Sequence, residues 1–229
     1  GGSLHHHGGG AEQGPGGRQR NTAGRRQTVT VNLSLLPATV TLPRDLSDGN
    51  AIRWQVLNNG SLYAGRMFQL GTTPRLTLIA DGASHLFNND SGNSAASEEN
   101  QREIVLTNAD LAGLAVQRKV FVPADGYWVR YLDILQNSGP AAVVVDVMEE
   151  MDLGGTPGVV ATASGDGVLT SADSWVLMDD ADASDVYASG YYNPYNTFAP
   201  LASVLWGPGA TAPSEASFAP AGSQGQVRY

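Results

Sequence analysis

Apolar and polar positions alternate with a period of two over much of this chain, and the 3.6-residue period of an amphipathic helix is not sustained. The densest stretch is Val116–Val147. It holds three β-rich runs, Val116–Val122, Tyr127–Leu135 and Ala141–Val147, separated by Pro123-Ala-Asp-Gly126 and Gln136-Asn-Ser-Gly-Pro140. Proline presets φ for a type I turn and glycine takes the left-handed position that follows, so the first separator reads as a hairpin loop. Three runs joined by two turns predict an antiparallel meander. Apolar residues fall on both parities here, as in Val120 and Val122 with Phe121, or Tyr131 with Leu132 and Ile134. A strand wetted on one face alternates more cleanly, so these strands are expected inside a two-layer structure. Its core is expected to hold Trp54, Val120, Val122, Leu132, Ile134, Val143 and Val145.

The same pattern predicts strands at Thr28–Leu35, Ala38–Leu42, Ile52–Leu57, Ser61–Leu70, Arg75–Ala80 and Glu103–Thr107. Further strands are expected at Val159–Ala163, Gly167–Leu169, Ser174–Met178, Leu201–Trp206 and Gln224–Tyr229. Asn58-Asn-Gly60 between apolar runs is a strong hairpin signal, and Asp81-Gly82 closes the strand before it. Asp45–Asn50 and Asn108–Gly113 read as turns, and Asn88–Asn100 as a polar loop. Ala95–Arg102 is the one helical candidate, a turn or two long. Roughly thirteen strands with no convincing helix make the class all-β, a large antiparallel sandwich.

Composition divides the chain. Residues 1–27 are rich in Gly, Gln and Arg and read as a disordered arm or linker, leaving residues 28–229 as a single β-sandwich domain. His5-His6-His7 is a tag remnant or part of a Gly/His-rich tail, because three adjacent histidines cannot all face one ion from one regular element. Net charge is −9, yet Arg18, Arg20, Arg25 and Arg26 outweigh Glu12 in the arm, so the body is more acidic still. An acidic body disfavours nucleic acid as a partner. No apolar run approaches the ~18–20 residues of a membrane span. The absence of cysteine excludes disulfides, thiolate metal sites and cysteine nucleophiles.

Four candidate chemistries follow. A mutarotase-type acid–base pair on a sugar needs a histidine with a carboxylate, and His85 is the one histidine inside the domain. Glycoside cleavage needs two carboxylates converging ~5–10 Å apart. Glu149, Glu150, Asp152, Asp179 and Asp180 are its possible sources, although adjacent Glu149 and Glu150 point to opposite faces of a strand. Asp179, Asp180, Asp182 and Asp185 form an acidic loop of the kind that takes Ca2+, without the spacing of an EF-hand; solvated acids are the competing reading. Tyr187, Tyr191, Tyr192, Tyr195 and Phe198 crowd one Gly/Asn/Pro-containing segment, and loops carry so many rings when they bury them. The buried partner is the domain itself, another subunit or a sugar; Trp175 is the further candidate sugar contact. No Gly-x-Ser-x-Gly occurs, and Gly165-Asp-Gly167 and Gly207-Pro-Gly209 read as turns.

Several segments together resemble a known module. They are Arg53-Trp54, Asn59-Gly60-Ser61, Leu78–Ala83, Gln117–Pro123 and Gly126–Asn137, followed by Ala163–Asp166, Ser174-Trp175, Met178–Asp180 and Gly207–Gly209. The match, over about residues 50–229, is to a β-sandwich module of large secreted or surface proteins of bacteria. That family is mostly of unknown function and is similar in architecture to the galactose-mutarotase-like supersandwich. The resemblance implies an extracellular or cell-surface location, a place in a longer chain that continues past Tyr229, and no catalytic residues. The expectation is therefore a non-enzymatic structural or adhesive module with no cofactor unless Ca2+ binds. Its expected partners are other domains of the parent chain or copies of itself, met through edge strands. The alternative is a carbohydrate-binding or carbohydrate-active domain.

Overall fold

The computed structural model describes residues 37–49, 51–64, 68–126, 128–153, 157–179, 201–204, 211–219 and 224–229. In chain order its strands are β1 (Ala38–Thr41), β2 (Arg44–Ser47), β3 (Arg53–Val56), β4 (Leu62–Ala64), β5 (Phe68–Thr73) and β6 (Arg75–Ala80). They continue with β7 (Ala83–Leu86), β8 (Ser94–Glu98), β9 (Glu103–Leu111), β10 (Leu114–Phe121), β11 (Arg130–Gln136) and β12 (Asp146–Asp152). The last are β13 (Gly158–Thr162), β14 (Trp175–Asp179), β15 (Leu201–Val204), β16 (Glu215–Ala219) and β17 (Gln224–Arg228). Every pairing among them is antiparallel. The protein is all-β and sandwich-like, as the alternation of its sequence requires.

Two five-stranded sheets, in orders β1-β8-β9-β10-β11 and β16-β17-β12-β6-β7, supply most of the core. The four-stranded sheet β2-β3-β4-β5 adds Leu46, Trp54, Val56 and Leu62, and the three-stranded sheet β13-β14-β15 adds Val176 and Met178. β10 shows the governing rule most cleanly: Leu114, Val116, Arg118 and Val120 are buried while the residues between them are not. Each strand commits one parity to the core because successive side chains leave opposite faces. Hairpins form where the sequence offers left-handed glycines. Gly60, at φ 75°, closes β3 onto β4, and Asp81-Gly82 closes β6 onto β7.

The structure corrects the expected meander. β10 and β11 pair over their full lengths, from Ala115↔Gln136 to Phe121↔Arg130. The third run does not join them. Ala141–Val145 is irregular chain, and β12 begins at Asp146 in the facing sheet, between β6 and β17. Residues 137–145 are the crossover between layers, and Val143 and Val144 on it are exposed. β11 is also turned over relative to expectation: Tyr131, Asp133 and Leu135 face inward, while Leu132 and Ile134 face out. Trp54, Val120 and Val122 are buried as expected, and Val145 is half-buried against the core.

Other elements differ in kind. Asp45–Ser47, expected in a turn, belongs to β2 because it finds Arg53–Gln55 of β3 as a partner. Within the expected polar loop, Ser94–Glu98 is β8, which buries Ala95 and Ser97. The single helical candidate collapses to one short turn, Glu99–Gln101, whose three residues all have positive φ. Gly167–Leu169 is irregular. The expected strand at Thr28–Leu35 lies outside the described residues. The expected strand at Gln224–Tyr229 is β17, which lies between β16 and β12, and Tyr229 exchanges backbone hydrogen bonds with Val147 at 2.8 and 3.0 Å.

A buried carboxylate secures the connection from β2 to β3. Asp48 accepts the Ile52 backbone N–H and the Trp54 Nε1–H, both at 3.0 Å. Replacing Asp48 with alanine leaves both donors in a dry site, so Asp48→Ala should destabilise the fold by about 1–3 kcal/mol. Urea unfolding checks this, with Asp45→Ala as the control: its ion pair to Arg53 is half-exposed and should contribute less than about 1 kcal/mol.

Candidate functional site

The inward parity of β10 places one charged residue among valines. Arg118 sits between Val116 and Val120, and its side chain has no accessible surface. Opposite it in register on β11 is Asp133, with Oδ1 3.7 Å from Arg118 Nε. From the facing sheet, Glu149 of β12 reaches across, and Arg118 Nη2 donates to its Oε2 at 3.1 Å. The guanidinium lies 4.3 Å above the Tyr131 ring, and the Tyr131 hydroxyl donates to the Gly60 carbonyl at 3.2 Å. A single cluster thus joins both five-stranded sheets and the β3–β4 turn.

Electrostatics follow from burial. Desolvation pushes the Glu149 carboxyl up to about 8, against the pull of Arg118 and with the help of neighbouring Asp133. Burial opposes the charge on Arg118 as well, but Glu149 and Asp133 overcome it and hold its pKa above the ordinary value. Burial raises the Tyr131 phenol, an effect that Arg118 only partly offsets. The two carboxylates meet the same guanidinium, Asp133 at 3.7 Å and Glu149 at 3.1 Å. The guanidinium between them has no accessible surface, and the carboxylates are only 14% and 25% exposed. The cluster is part of the architecture.

A second polar cluster knits the connection from β13 to β14. Asp173 accepts the Ser164 N–H at 2.8 Å, the Thr170 N–H at 2.9 Å and the Thr170 hydroxyl at 3.1 Å. These bonds, the Ser164 N–H foremost, hold its carboxyl down to about 2. Asp166 accepts the Val168 N–H and the Ser164 and Thr162 hydroxyls within Gly165-Asp-Gly167, whose glycines both have positive φ. Donors occupy both oxygens of Asp173 and Oδ1 of Asp166, as a loop-closing role requires.

The sequence-predicted residues fall as follows. Trp175 opens β14 and is 40% exposed. Asp179 closes the same strand, opposite Gly158. Asp180, Asp182, Asp185, Tyr187, Tyr191, Tyr192 and Tyr195 lie outside the described residues. Among the described residues no three His, Asp or Glu side chains converge to hold a metal ion. His85 is half-buried on β7, opposite Leu78. Glu149 and Glu150 do diverge: Glu150 pairs with Arg75 at 2.8 Å on the other face of the sheet. Asp152 exchanges backbone hydrogen bonds with the Thr73 hydroxyl. The Arg118–Asp133–Glu149 cluster escaped the sequence reading. Its signal was a charge on the same parity as Val116 and Val120, and another between Tyr131 and Leu135.

β11 carries the second candidate feature. Among the described residues it pairs only with β10, so it forms one edge of its sheet. Its outward face shows Leu132 at 45% and Ile134 at 42% exposure, flanked by Arg130 and Gln136. Arg130 bonds Glu103 at 2.8 Å and lies over the Phe121 ring, which in turn meets the half-exposed Trp128 with centroids 5.4 Å apart. No family model, curated protein or solved structure matches the chain.

Proposed function

We propose that the domain is a non-enzymatic structural or adhesive module of an extracellular protein, and that it assembles with copies of itself through β11. The observation that carries this reading is an edge strand whose outward face is apolar. Sheet edges left open are templates for strand addition, and protective lysines or prolines normally blunt them. From Tyr131 to Gln136 the strand has neither. Its outward pattern is also self-complementary. Antiparallel pairing of two β11 strands about Asp133 sets Leu132 of each copy opposite Ile134 of the other, an isologous contact.

Light scattering over a wide concentration range should show a dimer. Leu132→Lys with Ile134→Lys should weaken it by at least about tenfold, while the melting temperature of the monomer stays put because both side chains face out. A parent protein that remains monomeric at the highest concentration overturns the reading. The outward indole of Trp175 favours a second reading, carbohydrate binding. Loss of glycan retention in Trp175→Ala, with assembly intact, would select it.

A further inference from the structure

Between the two large sheets, the charges do not cancel. Asp133 and Glu149 face a single guanidinium, and both carboxylates ionised would leave one negative charge over in the core. Each has one buried oxygen, Asp133 Oδ1 and Glu149 Oε1, that accepts no hydrogen bond, and Arg118 Nε and Nη1 between them donate none. Uncompensated buried charge and unsatisfied acceptors are both costly, and one proton cancels the excess charge and gives the two oxygens a hydrogen to share. Among the described residues no second cation is bonded to either carboxylate. Tyr131 faces Arg118 from β11, the Gly60 carbonyl closes the site from the β3–β4 turn, and Tyr229, after β17, is a further ionisable group near Glu149.

We propose that Asp133 and Glu149 hold one proton between them, and that its loss to solvent at alkaline pH loosens β11 from the facing sheet. The shared proton is a latch between layers. Asp133 stands on β11 and Glu149 on β12, so an O–H···O bond between them ties the edge strand to the opposite sheet. When it breaks, two carboxylates repel across the interface and Arg118 can neutralise only one.

The direction of the pH dependence follows from burial. The folded state keeps the Glu149 proton up to about 8, whereas an unfolded chain releases it near 4.5. Stability from this group is therefore fully present below pH 4.5 and is lost as pH rises through 8.

Urea unfolding of the full chain between pH 5 and pH 9 should show a midpoint that falls as pH rises and levels off above about 8. Glu149→Gln carries its hydrogen permanently, so its midpoint should lack that decline. Amide exchange in Arg130–Gln136, corrected for intrinsic rates, should quicken by about tenfold from pH 7 to pH 9 in the parent and not in the variant. Identical pH profiles in the two proteins overturn the proposal. Should Glu149→Gln fail to fold, infrared spectra of the parent decide. A protonated-carboxyl band at pH 7 that vanishes by pH 9 supports the latch, and its absence at pH 7 overturns it.

Discussion

Arg118→Met lowers the unfolding free energy by about 3–5 kcal/mol, the loss expected when one partner of a buried ion cluster is removed. Methionine fills much of the arginine's volume, so the main loss is electrostatic. Asp133 and Glu149 lose the cation they share, and Tyr131 loses the cation 4.3 Å above its ring. The sign can be tested from the other side. Arg118→Met combined with Asp133→Leu and Glu149→Leu removes all three charges, and it should recover most of the stability that the single change loses. The single variant should also suffer less at pH 5 than at pH 8, because acid neutralises the stranded carboxylates. Urea unfolding at the two pH values measures both. A single variant within about 1 kcal/mol of the parent would mean that Arg118 fills space and little else.

Gly60→Ala should cost about 2–4 kcal/mol, from two separate sources. The backbone there is left-handed, at φ 75°, which an alanine adopts with strain. A Cβ would also stand 2.8 Å from Arg118 Cδ and 3.3 Å from its Nε. That stem cannot retreat, because it is fully buried and its far end is bonded to Glu149. Gly113 separates the two sources. It has φ 81° with nothing within 4 Å of an added Cβ, so Gly113→Ala should show the conformational part alone, about 1 kcal/mol. Thermal unfolding of both variants gives the packing contribution by difference, and equal losses would show that Arg118 yields to the methyl group.

Much of this fold was legible because turns and parity are local. Asn59-Gly60 and Asp81-Gly82 place hairpins wherever they occur, and β3, β6, β10, β14 and β17 follow their predicted segments closely. β8 was hidden because its buried residues, Ala95 and Ser97, are small and hardly differ in polarity from Ser94 and Ala96 on the other face. β11 misled for another reason. Both its parities are apolar, and a shift of one residue exchanges the faces. Only the pairing of Asp133 with Arg118 decides which parity faces in, and a register between strands is not written in either strand alone. For the same reason the sequence yields Glu149 as an acid but not as the partner of a guanidinium from another layer. The destination of Ala141–Val147 was equally hidden, since valines serve either sheet.

The position of β17 has a consequence for how the molecule is made. It is inserted between β16 and β12, and its Gln226 meets Met148 across 78 positions of chain. Contacts so distant in sequence form slowly, because the loop must close before they contribute. On a ribosome, β6 and β12 emerge long before their neighbour does. Until Gln224–Arg228 is synthesised, β12 presents an open strand edge, and the half-built sheet stands at the stage where a nascent chain most needs a chaperone's cover.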